Sequence, residues 1–206
     1  MITLQGSVVR LVPLDQSHAE GLLAAANEDR SSYAFTIVPT DAAQMRAFID
    51  LAQAEAARGA SVPFATLDAK TGRPVGSTRF MSLDRWRPYF EPAAPKDAVP
   101  DGVEIGSTWL SKSAQRTAIN SEAKLLMLCH AFEAWKVQRV TLKTDARNFK
   151  SRHAIQRLGA KEDGVLRAWQ LATDGGPRDT AIFSILQSEW PAVRARLLSP
   201  PSTTTP

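Results

Sequence analysis

A polar turn leads into an apolar helix at residues 113–126, which read SAQRTAINSEAKLL. The turn follows a predicted strand at Val103–Leu110 (VEIGSTWL). A turn between a strand and a helix directs unpaired backbone N–H groups and the positive end of the helix dipole at one place. Phosphate and diphosphate groups bind at such places without needing a side-chain charge. The sequence therefore predicts an anion site at the start of this helix.

Basic residues are concentrated just downstream of the turn. Between Lys136 and Arg167, nine Lys or Arg residues stand against three Asp or Glu residues, whereas the whole chain carries a net charge of +4. Such an excess favours a polyanionic partner, either a nucleic acid or a phosphorylated small molecule, and a solvated basic face is the alternative. Phe149 is the only aromatic residue among these charges before Trp169, so stacking platforms for a nucleic acid are missing and we do not expect one to bind.

The elements that must hold the turn alternate along the chain. Alternating apolar residues predict seven strands, at residues 7–13, 62–68, 74–82, 103–110, 139–144, 165–172 and 180–186. Helical periodicity and caps predict five helices, at residues 15–27 (capped by Asp15), 41–58 (capped by Asp41), from the turn to about 135, 150–158, and after a Ser188 cap. This pattern indicates a single α/β domain over residues 1–198 with one central sheet, and a polar, disordered tail over residues 199–206.

Composition excludes several other classes of protein. The chain has 206 residues, of which 44% are hydrophobic, and no apolar run approaches the roughly 18 residues of a membrane span. The N-terminus lacks the features of a signal peptide, so we expect a cytoplasmic protein. His18, His130 and His153 lie on different predicted helices and Cys129 is the single cysteine, so no metal site is predicted. Cys129 is interpreted as a small buried hydrophobe.

Residues 104–160 resemble the acyl-CoA-binding core of the GCN5-related N-acetyltransferase (GNAT) superfamily. The family's diphosphate turn follows the pattern Q/R-x-x-G/A-x-G/A, and this chain reads QRTAIN at residues 115–120. The segments EIGSTWL and IQRLGA are most similar to the branch that includes the RimJ/RimL-type protein N-terminal acetyltransferases. The resemblance extends, more weakly, over about residues 8–190, and it implies a central mixed, mostly antiparallel sheet flanked by helices.

A second family element, an Asn followed by a small residue, a basic residue and a Gly, matches Asn148, Ser151, Arg157 and Gly159. The resemblance implies acetyl-CoA as the co-substrate, with no metal. The residues that it implies for cofactor binding are Trp109, Leu110, Ser111, Gln115, Arg116, Thr117, Ala118, Ile119, Asn120, Asn148, Ser151 and Arg157.

Two positions, Asn120 and Ile155, depart from the family pattern, and at a third, Ala118, the family usually has Gly. The small positions of the turn carry Ala118 and Asn120, and an Asn fits close to a diphosphate when it adopts a left-handed or capping conformation. Ile155 stands where many members have a Tyr that protonates the departing thiolate. A CoA-binding module without chemistry, acting as a regulatory or interaction partner, is therefore the alternative to an active enzyme.

The implied reaction is transfer of an acetyl group from acetyl-CoA to a primary amine, either a protein N-terminus or a small molecule, by direct attack. The amine must lose a proton before or during the attack. Backbone N–H groups near Trp109 and Leu110 would polarise the thioester carbonyl, by resemblance to the family. The sequence names neither the acceptor amine nor the oligomeric state, and a homodimer stays open.

Glu104 is the predicted general base. Alternation along the strand places Glu104, Gly106 and Thr108 on one face, which leaves the carboxylate as an isolated charge beside apolar neighbours. It also lies eleven residues before Gln115, a spacing at which some members of the superfamily carry their base. The competing interpretation is a structural ion pair with a basic residue such as Arg79.

A long loop at residues 83–102 is rich in Pro and carries aromatic residues. Loops of this length without regular structure are usually functional or disordered, and aromatic residues argue against disorder. We predict a lid in which Trp86 and Tyr89 line the acceptor site. Alternatively, the aromatic residues only pin the loop onto the core.

Overall fold

One mixed sheet of eight strands forms the centre of the fold. The computed structural model describes residues 2–199, and the tail predicted at residues 199–206 lies outside this range except for Ser199. The strands are β1 (Leu4–Gln5), β2 (Val9–Pro13), β3 (Ser61–Asp68), β4 (Pro74–Asp84), β5 (Gly102–Leu110), β6 (Arg139–Asp145), β7 (Lys161–Leu171) and β8 (Pro177–Leu186). Their order in the sheet is β1-β2-β3-β4-β5-β6-β8-β7, and neighbouring strands are antiparallel except β5 and β6, which are parallel. The predicted fold class is confirmed.

Helices cover the two faces of the sheet unequally. On one face α1 and α2 pack over the β2–β5 half, against Ala65, Leu67 and Trp109. On the other face α3, α4 and α5 bury the larger apolar core, which includes Phe64, Phe80 and Phe183. The helices are α1 (Ala19–Ala26), α2 (Ala42–Ala57), α3 (Ala118–Cys129), α4 (Phe149–Leu158) and α5 (Trp190–Leu198), and α3 continues as a π-helical turn over His130–Ala134.

Local capping signals fix several helix ends. Asp41 caps α2 by accepting a hydrogen bond from the Gln44 backbone N–H at 2.9 Å, as predicted. Asp15 caps a 3₁₀ turn at Gln16–His18 that precedes α1, so the predicted helix begins with this turn. The predicted Ser188 cap is wrong, because Ser188 lies inside another 3₁₀ turn, Gln187–Glu189, and α5 begins only at Trp190.

Several strands are longer than the sequence predicts. β8 begins at Pro177 rather than at residue 180, β4 continues past Ser82 to Asp84, and β7 begins at Lys161 rather than at residue 165. β4 and β7 illustrate the cause. Both carry irregularities in register, with left-handed residues at Ser82 (φ 49°) and Ala168 (φ 47°). Because a bulge interrupts the alternation of apolar and polar residues, it hides part of a strand from a periodicity analysis.

A bulge in β5 corrects the predicted faces of that strand. Ser107 has a φ of 48°, and the register with β4 shifts between the pairs Ser77–Trp109 and Arg79–Gly106. Beyond the bulge Thr108 lies on the α3 face, not on the face of Glu104. The prediction that the two residues share a face is therefore wrong, because a one-residue insertion reverses the alternation.

Within residues 2–199, no helix combines the length and the apolar character needed to cross a membrane.

Candidate active site

The turn that precedes α3 keeps three backbone N–H groups free. Arg116 adopts a left-handed conformation with a φ of 62°, and Thr117 caps α3 by accepting a hydrogen bond from the Ile119 N–H. Among residues 2–199, no hydrogen-bond partner is found for the backbone N–H groups of Arg116, Thr117 and Ala118. These donors lie at the positive end of the α3 dipole, and the Arg116 side chain is exposed beside them. The arrangement fits a diphosphate group.

Asn120 adopts neither the left-handed nor the capping conformation that we expected for it at this turn. It is the third residue of α3, with an ordinary helical backbone, while Thr117 is the cap and Arg116 is the left-handed residue. The sharp change of chain direction therefore occurs at Arg116. Asn120 is half-buried and lies in the first turn of the helix.

The first half of the turn is held by the segment that follows α1. Glu28 accepts hydrogen bonds from the Ser113 backbone N–H at 2.8 Å and from its hydroxyl at 3.0 Å. Asp29 pairs with Lys112 at 2.8 Å, and the hydrogen bond from Lys112 lowers the pKa of the Asp29 carboxyl to about 2. These contacts fix the backbone before any ligand arrives, so the free N–H groups need little reorganisation to bind an anion.

Gln115 joins the turn to three other parts of the site. Its Nε2 atom donates to the Ser32 hydroxyl and to the Leu110 carbonyl, both at 3.0 Å, and its Oε1 atom accepts from Lys150 Nζ at 3.0 Å. Lys150 brings the start of α4 next to the turn. Sequence reasoning missed Lys150, although it belongs to the basic window noted above.

The residues of the second family element lie at opposite ends of α4. Asn148 caps α4 by accepting a hydrogen bond from the Ser151 N–H at 3.0 Å, close to Lys150. Arg157 is exposed near the other end of the helix, roughly 13 Å further along its axis at 1.5 Å per residue. Asn148 and Ser151 thus lie near the turn, whereas Arg157 does not. Gly159 ends α4 with a left-handed φ of 99°, as the sequence predicts for a Gly after a helix.

Strands β5 and β6 pair only at their beginnings. Their ladder joins Gly102, Val103 and Glu104 to Arg139, Val140 and Thr141. From Ile105 onward the edge of β5 that faces β6 has no strand partner. Leu110 turns its backbone groups to this edge, where its carbonyl accepts hydrogen bonds from Tyr33 and Gln115, whereas Trp109 pairs with Ser77 of β4. An open edge presents backbone N–H and C=O groups to a ligand. The two strands therefore form a cleft that ends at the turn.

The segment after α1 crosses the mouth of this cleft. Tyr33 donates from its hydroxyl to the Leu110 carbonyl at 3.0 Å, and burial raises the pKa of Tyr33. The Ala34 carbonyl accepts a hydrogen bond from Thr173 in the β7–β8 connection at 2.8 Å. The Arg147 guanidinium lies 5.5 Å from the centre of the Phe35 ring. The cleft is therefore bridged on the face opposite α3 and α4.

Glu104 lies at the point where β5 and β6 separate. Only 8% of it is exposed, and its carboxylate lies 2.9 Å from Lys143 Nζ on β6. The predicted partner Arg79 pairs instead with Glu55 at 2.9 Å, so the choice of Arg79 is wrong. Glu104 is not an isolated charge, because Lys143 neutralises it.

Lys124 is a buried cation that the sequence interpretation missed. Its Nζ atom donates to Thr108 Oγ1 at 2.7 Å and to Thr78 Oγ1 at 3.1 Å, and only 6% of the residue is exposed. No carboxylate among residues 2–199 pairs with it, and burial lowers its pKa to about 7. Its position was recognisable in the sequence, since Lys124 interrupts the apolar stripe of Ala123, Met127 and Leu128.

The aromatic residues of the long loop are exposed. The exposed fractions are 59% for Trp86 and 89% for Tyr89. Arg85 holds the loop by donating to the carbonyls of Ala98 and Lys96, both at 2.7 Å. The Trp86 indole lies against Gly102, two residues before Glu104 on the same face of β5. The alternative in which the aromatic residues are buried to pin the loop is thus not what the structure shows.

Much of the basic window is neutralised within the fold. Five of its nine cations form ion pairs with Asp or Glu, and a sixth, Lys150, bonds to Gln115. The paired cations are Arg139, Lys143, Arg147, Arg152 and Lys161. The charge excess therefore provides few free cations for a long polyanion. Within residues 2–199 no group of three or more potential metal ligands is found.

Comparison with known proteins identifies relatives of the whole arrangement. The family model described as "Acetyltransferase (GNAT) domain" matches residues 9–161. The curated protein named "Putative ribosomal N-acetyltransferase YdaF" of Bacillus subtilis is 32% identical over 94 residues, which are 46% of this chain and 50% of that protein. The match thus spans about half the length of this relative.

Solved structures share the complete fold. A GCN5-related N-acetyltransferase from Brucella melitensis is 29% identical, with a TM-score of 0.77 over 94% of this chain and 82% of that one. RimJ of Mycobacterium smegmatis, solved in complex with CoA-disulfide, is 21% identical, with a TM-score of 0.76 over 96% of this chain and 92% of that one. The second likeness concerns the fold alone.

Proposed function

The chain belongs to the GNAT acetyltransferase family, and we propose that it transfers an acetyl group from acetyl-CoA to a primary amine, either a protein N-terminus or a small molecule. The observation that carries the proposal is the turn before α3. Its free N–H groups at Arg116, Thr117 and Ala118 are held in place beside the open edge of β5. That RimJ of M. smegmatis binds a CoA derivative on the same fold supports acetyl-CoA as the co-substrate.

Different parts of the cleft bind different parts of acetyl-CoA. The N–H groups at Arg116–Ala118 bind the diphosphate, with Lys150 supplying a nearby positive charge. The open edge of β5 that ends at Leu110 holds the acyl arm beside Trp109, and the Leu110 N–H polarises the thioester carbonyl. Fixing the amine and the thioester in one cleft supplies much of the acceleration. Acetyl-CoA itself supplies the activated acyl group.

Proton transfer is assigned to Glu104. Its carboxylate stands where the cleft opens, and it accepts a proton from the acceptor ammonium, directly or through water. The free amine forms the new C–N bond as the C–S bond breaks, and the thiolate takes its proton from water. Ile155 offers no proton, because its side chain is apolar and packs in the core beneath the sheet.

A catalytically inactive CoA-binding module is the second candidate. Two observations favour it: Ile155 occupies the place of the family acid, and Lys143 neutralises the Glu104 carboxylate. Such a module would bind acetyl-CoA without turning it over.

The test is a panel of amines and N-terminal peptides assayed for thiol release from acetyl-CoA, with acetyl-CoA binding measured in parallel. Amine-dependent thiol release supports the enzyme. Binding without release from any acceptor supports the inactive module. Absence of both binding and release would contradict the site assignment itself.

A further inference from the structure

We propose that Arg178 and Thr180 bind a carboxylate of the acceptor, so that the preferred substrates are amines that also carry a carboxylate. The inference rests on the proposed function and names the class of amine. It comes from the face of β6 and β8 that α1 and α2 leave open.

The side chains concerned share one face of the sheet. Thr180 pairs with Asp145 across β6 and β8, and Lys143 pairs with Ile182. Because residues two apart on a strand point the same way, Arg178 lies on this face with Thr180. The alternate residues of β8, such as Phe183, fill the core under α3. Arg178 therefore faces the side of the sheet on which Glu104 stands.

Arg178 is a half-buried cation without a partner. Among residues 2–199 its side chain makes no hydrogen bond or ion pair, and its Nε atom is buried. The two carboxylates that influence it already have cations of their own, since Glu104 pairs with Lys143 at 2.9 Å and Asp145 pairs with Arg147 at 2.8 Å. A guanidinium whose Nε–H is shielded from water without gaining a partner is costly, and a carboxylate can accept two parallel hydrogen bonds from Nε–H and the neighbouring N–H.

Thr180 adds a second unsatisfied group beside Arg178. The residue is fully buried, and its Oγ1 atom has no hydrogen-bond partner among the described residues. Buried hydroxyl groups usually have a hydrogen-bond partner. A hydroxyl without one beside an unpaired guanidinium therefore indicates that ligand oxygens accept hydrogen bonds from both groups.

The strand register places the two functions within reach of one small molecule. Lys143, the ion-pair partner of Glu104, pairs with Ile182 of β8, and Arg178 lies on the same face four residues earlier, roughly 13 Å along the strand at about 3.3 Å per residue. The Arg178 side chain shortens this span, so one acceptor can place its ammonium at Glu104 and its carboxylate at Arg178. Trp169, 54% exposed with its ring 6.0 Å from Lys143 Nζ, provides an apolar wall for the carbon chain between them. This face thus complements a zwitterion better than a simple alkylamine.

The test compares matched acceptors in the full-length protein. One arm uses linear amino acids and their carboxamides. The other uses dipeptide amides that begin with Ser and differ only by Asp or Asn at the second position. The two arms distinguish a free amino acid from an acidic peptide N-terminus. We expect the wild type to prefer the carboxylate in one arm by about ten- to a hundredfold in kcat/KM, the usual worth of a charged hydrogen bond.

The variant Arg178→Gln should bring this ratio close to one while leaving the KM for acetyl-CoA and the kcat/KM for the uncharged acceptor unchanged. Arg178→Lys should restore part of the preference. The control Arg167→Gln removes an exposed positive charge on β7 and should keep the wild-type ratio. A wild-type ratio near one in both arms, or an unchanged ratio in Arg178→Gln, would overturn the inference.

Failure of the proposed function gives a different result, because the wild type then acetylates none of these amines. In that case binding of the unreacted amino acid is titrated directly. The inference expects saturable binding that Arg178→Gln abolishes, and it is overturned if the two proteins bind alike. If Arg178→Gln does not fold, the wild-type ratios and the Arg178→Lys variant decide.

Discussion

The Glu104 carboxylate lies 2.9 Å from the Nζ atom of Lys143 on the neighbouring strand, at the point where β5 and β6 separate. Lys143 engages the Oε2 atom of Glu104, so the carboxylate proposed to accept the proton already holds a partner within the fold. Whether Glu104 accepts a proton in spite of this ion pair therefore decides between an active enzyme and an inactive CoA-binding module.

Replacing Glu104 by Gln should separate catalysis from binding. If Glu104 is the base, kcat falls by on the order of 10²–10⁴ while acetyl-CoA binding is retained. The measurement is steady-state kinetics at pH 7 together with a titration of acetyl-CoA. Glu55→Gln, which removes the carboxylate paired with Arg79, is the matched control and should keep its kcat. Wild-type kcat in Glu104→Gln would leave catalysis to proximity alone.

Charge reversal at Arg116 should weaken cofactor binding. Acetyl-CoA stabilises the folded protein by mass action, so it should raise the melting temperature of the wild type. Acetyl-pantetheine, which lacks the diphosphate, should raise it little. In Arg116→Glu the shift with acetyl-CoA should be smaller, whereas Lys70→Glu, in the exposed β3–β4 turn, should behave as the wild type. Equal shifts in Arg116→Glu and the wild type would remove the turn from the site.

Truncation of Trp86 tests the predicted acceptor role of the long loop. Because Trp86 lies against Gly102 on the face of Glu104, Trp86→Ala should raise the KM for a peptide amine and leave acetyl-CoA affinity unchanged. The same change at Phe90, which is 94% exposed, is the control and should have less effect. A Trp86→Ala protein with a lower melting temperature and an unchanged KM would assign the residue to stability.

The buried Lys124 predicts a pH dependence of stability. Its pKa is about 7 when folded, against an ordinary value of 10.5, so between these values the unfolded chain holds a proton that the folded protein has lost. The unfolded state then binds more protons, and the free energy of unfolding rises with pH across this window, by up to about 1.4 kcal/mol per pH unit.

Denaturant titrations of wild type and Lys124→Met between pH 7 and 10 measure this contribution of Lys124 to the free energy of unfolding. The difference in the free energy of unfolding between the two proteins should change with pH in that window, with the wild type gaining as pH rises. Lys70→Met controls for the loss of an exposed amine and should follow the wild type. Parallel curves for wild type and Lys124→Met would show that Lys124 titrates at its ordinary pH.

Local signals account for the parts of the fold that the sequence predicts correctly. The cap at Asp41, the Gly159 helix end and the turn before α3 depend on residues close together in the chain. The family resemblance then predicted the mixed sheet, and the motif at residues 115–120 supplied the proposal of a cofactor site there.

Long-range register accounts for what could not be predicted. The partner of Glu104 depends on which residue of β6 stands beside it, and Lys143 is 39 positions away in the chain. The bulge at Ser107 places Thr108 on the opposite face of β5, and no residue type in this segment predicts a bulge. Arg178 has no local signal either, because its significance is the absence of a partner, which only the folded arrangement reveals.

Acetyl transfer to an amine at this site can be followed with an isotopically labelled acetyl group. The wild type is incubated with labelled acetyl-CoA and the amine panel, and the products are identified by mass spectrometry. We expect label in an amide bond on the acceptor, in an amount equal to the thiol released, and loss of both in Arg116→Glu at low acetyl-CoA concentration. Label that stays in acetyl-CoA, or appears only as free acetate while the protein binds acetyl-CoA, would contradict the proposed acetyl transfer.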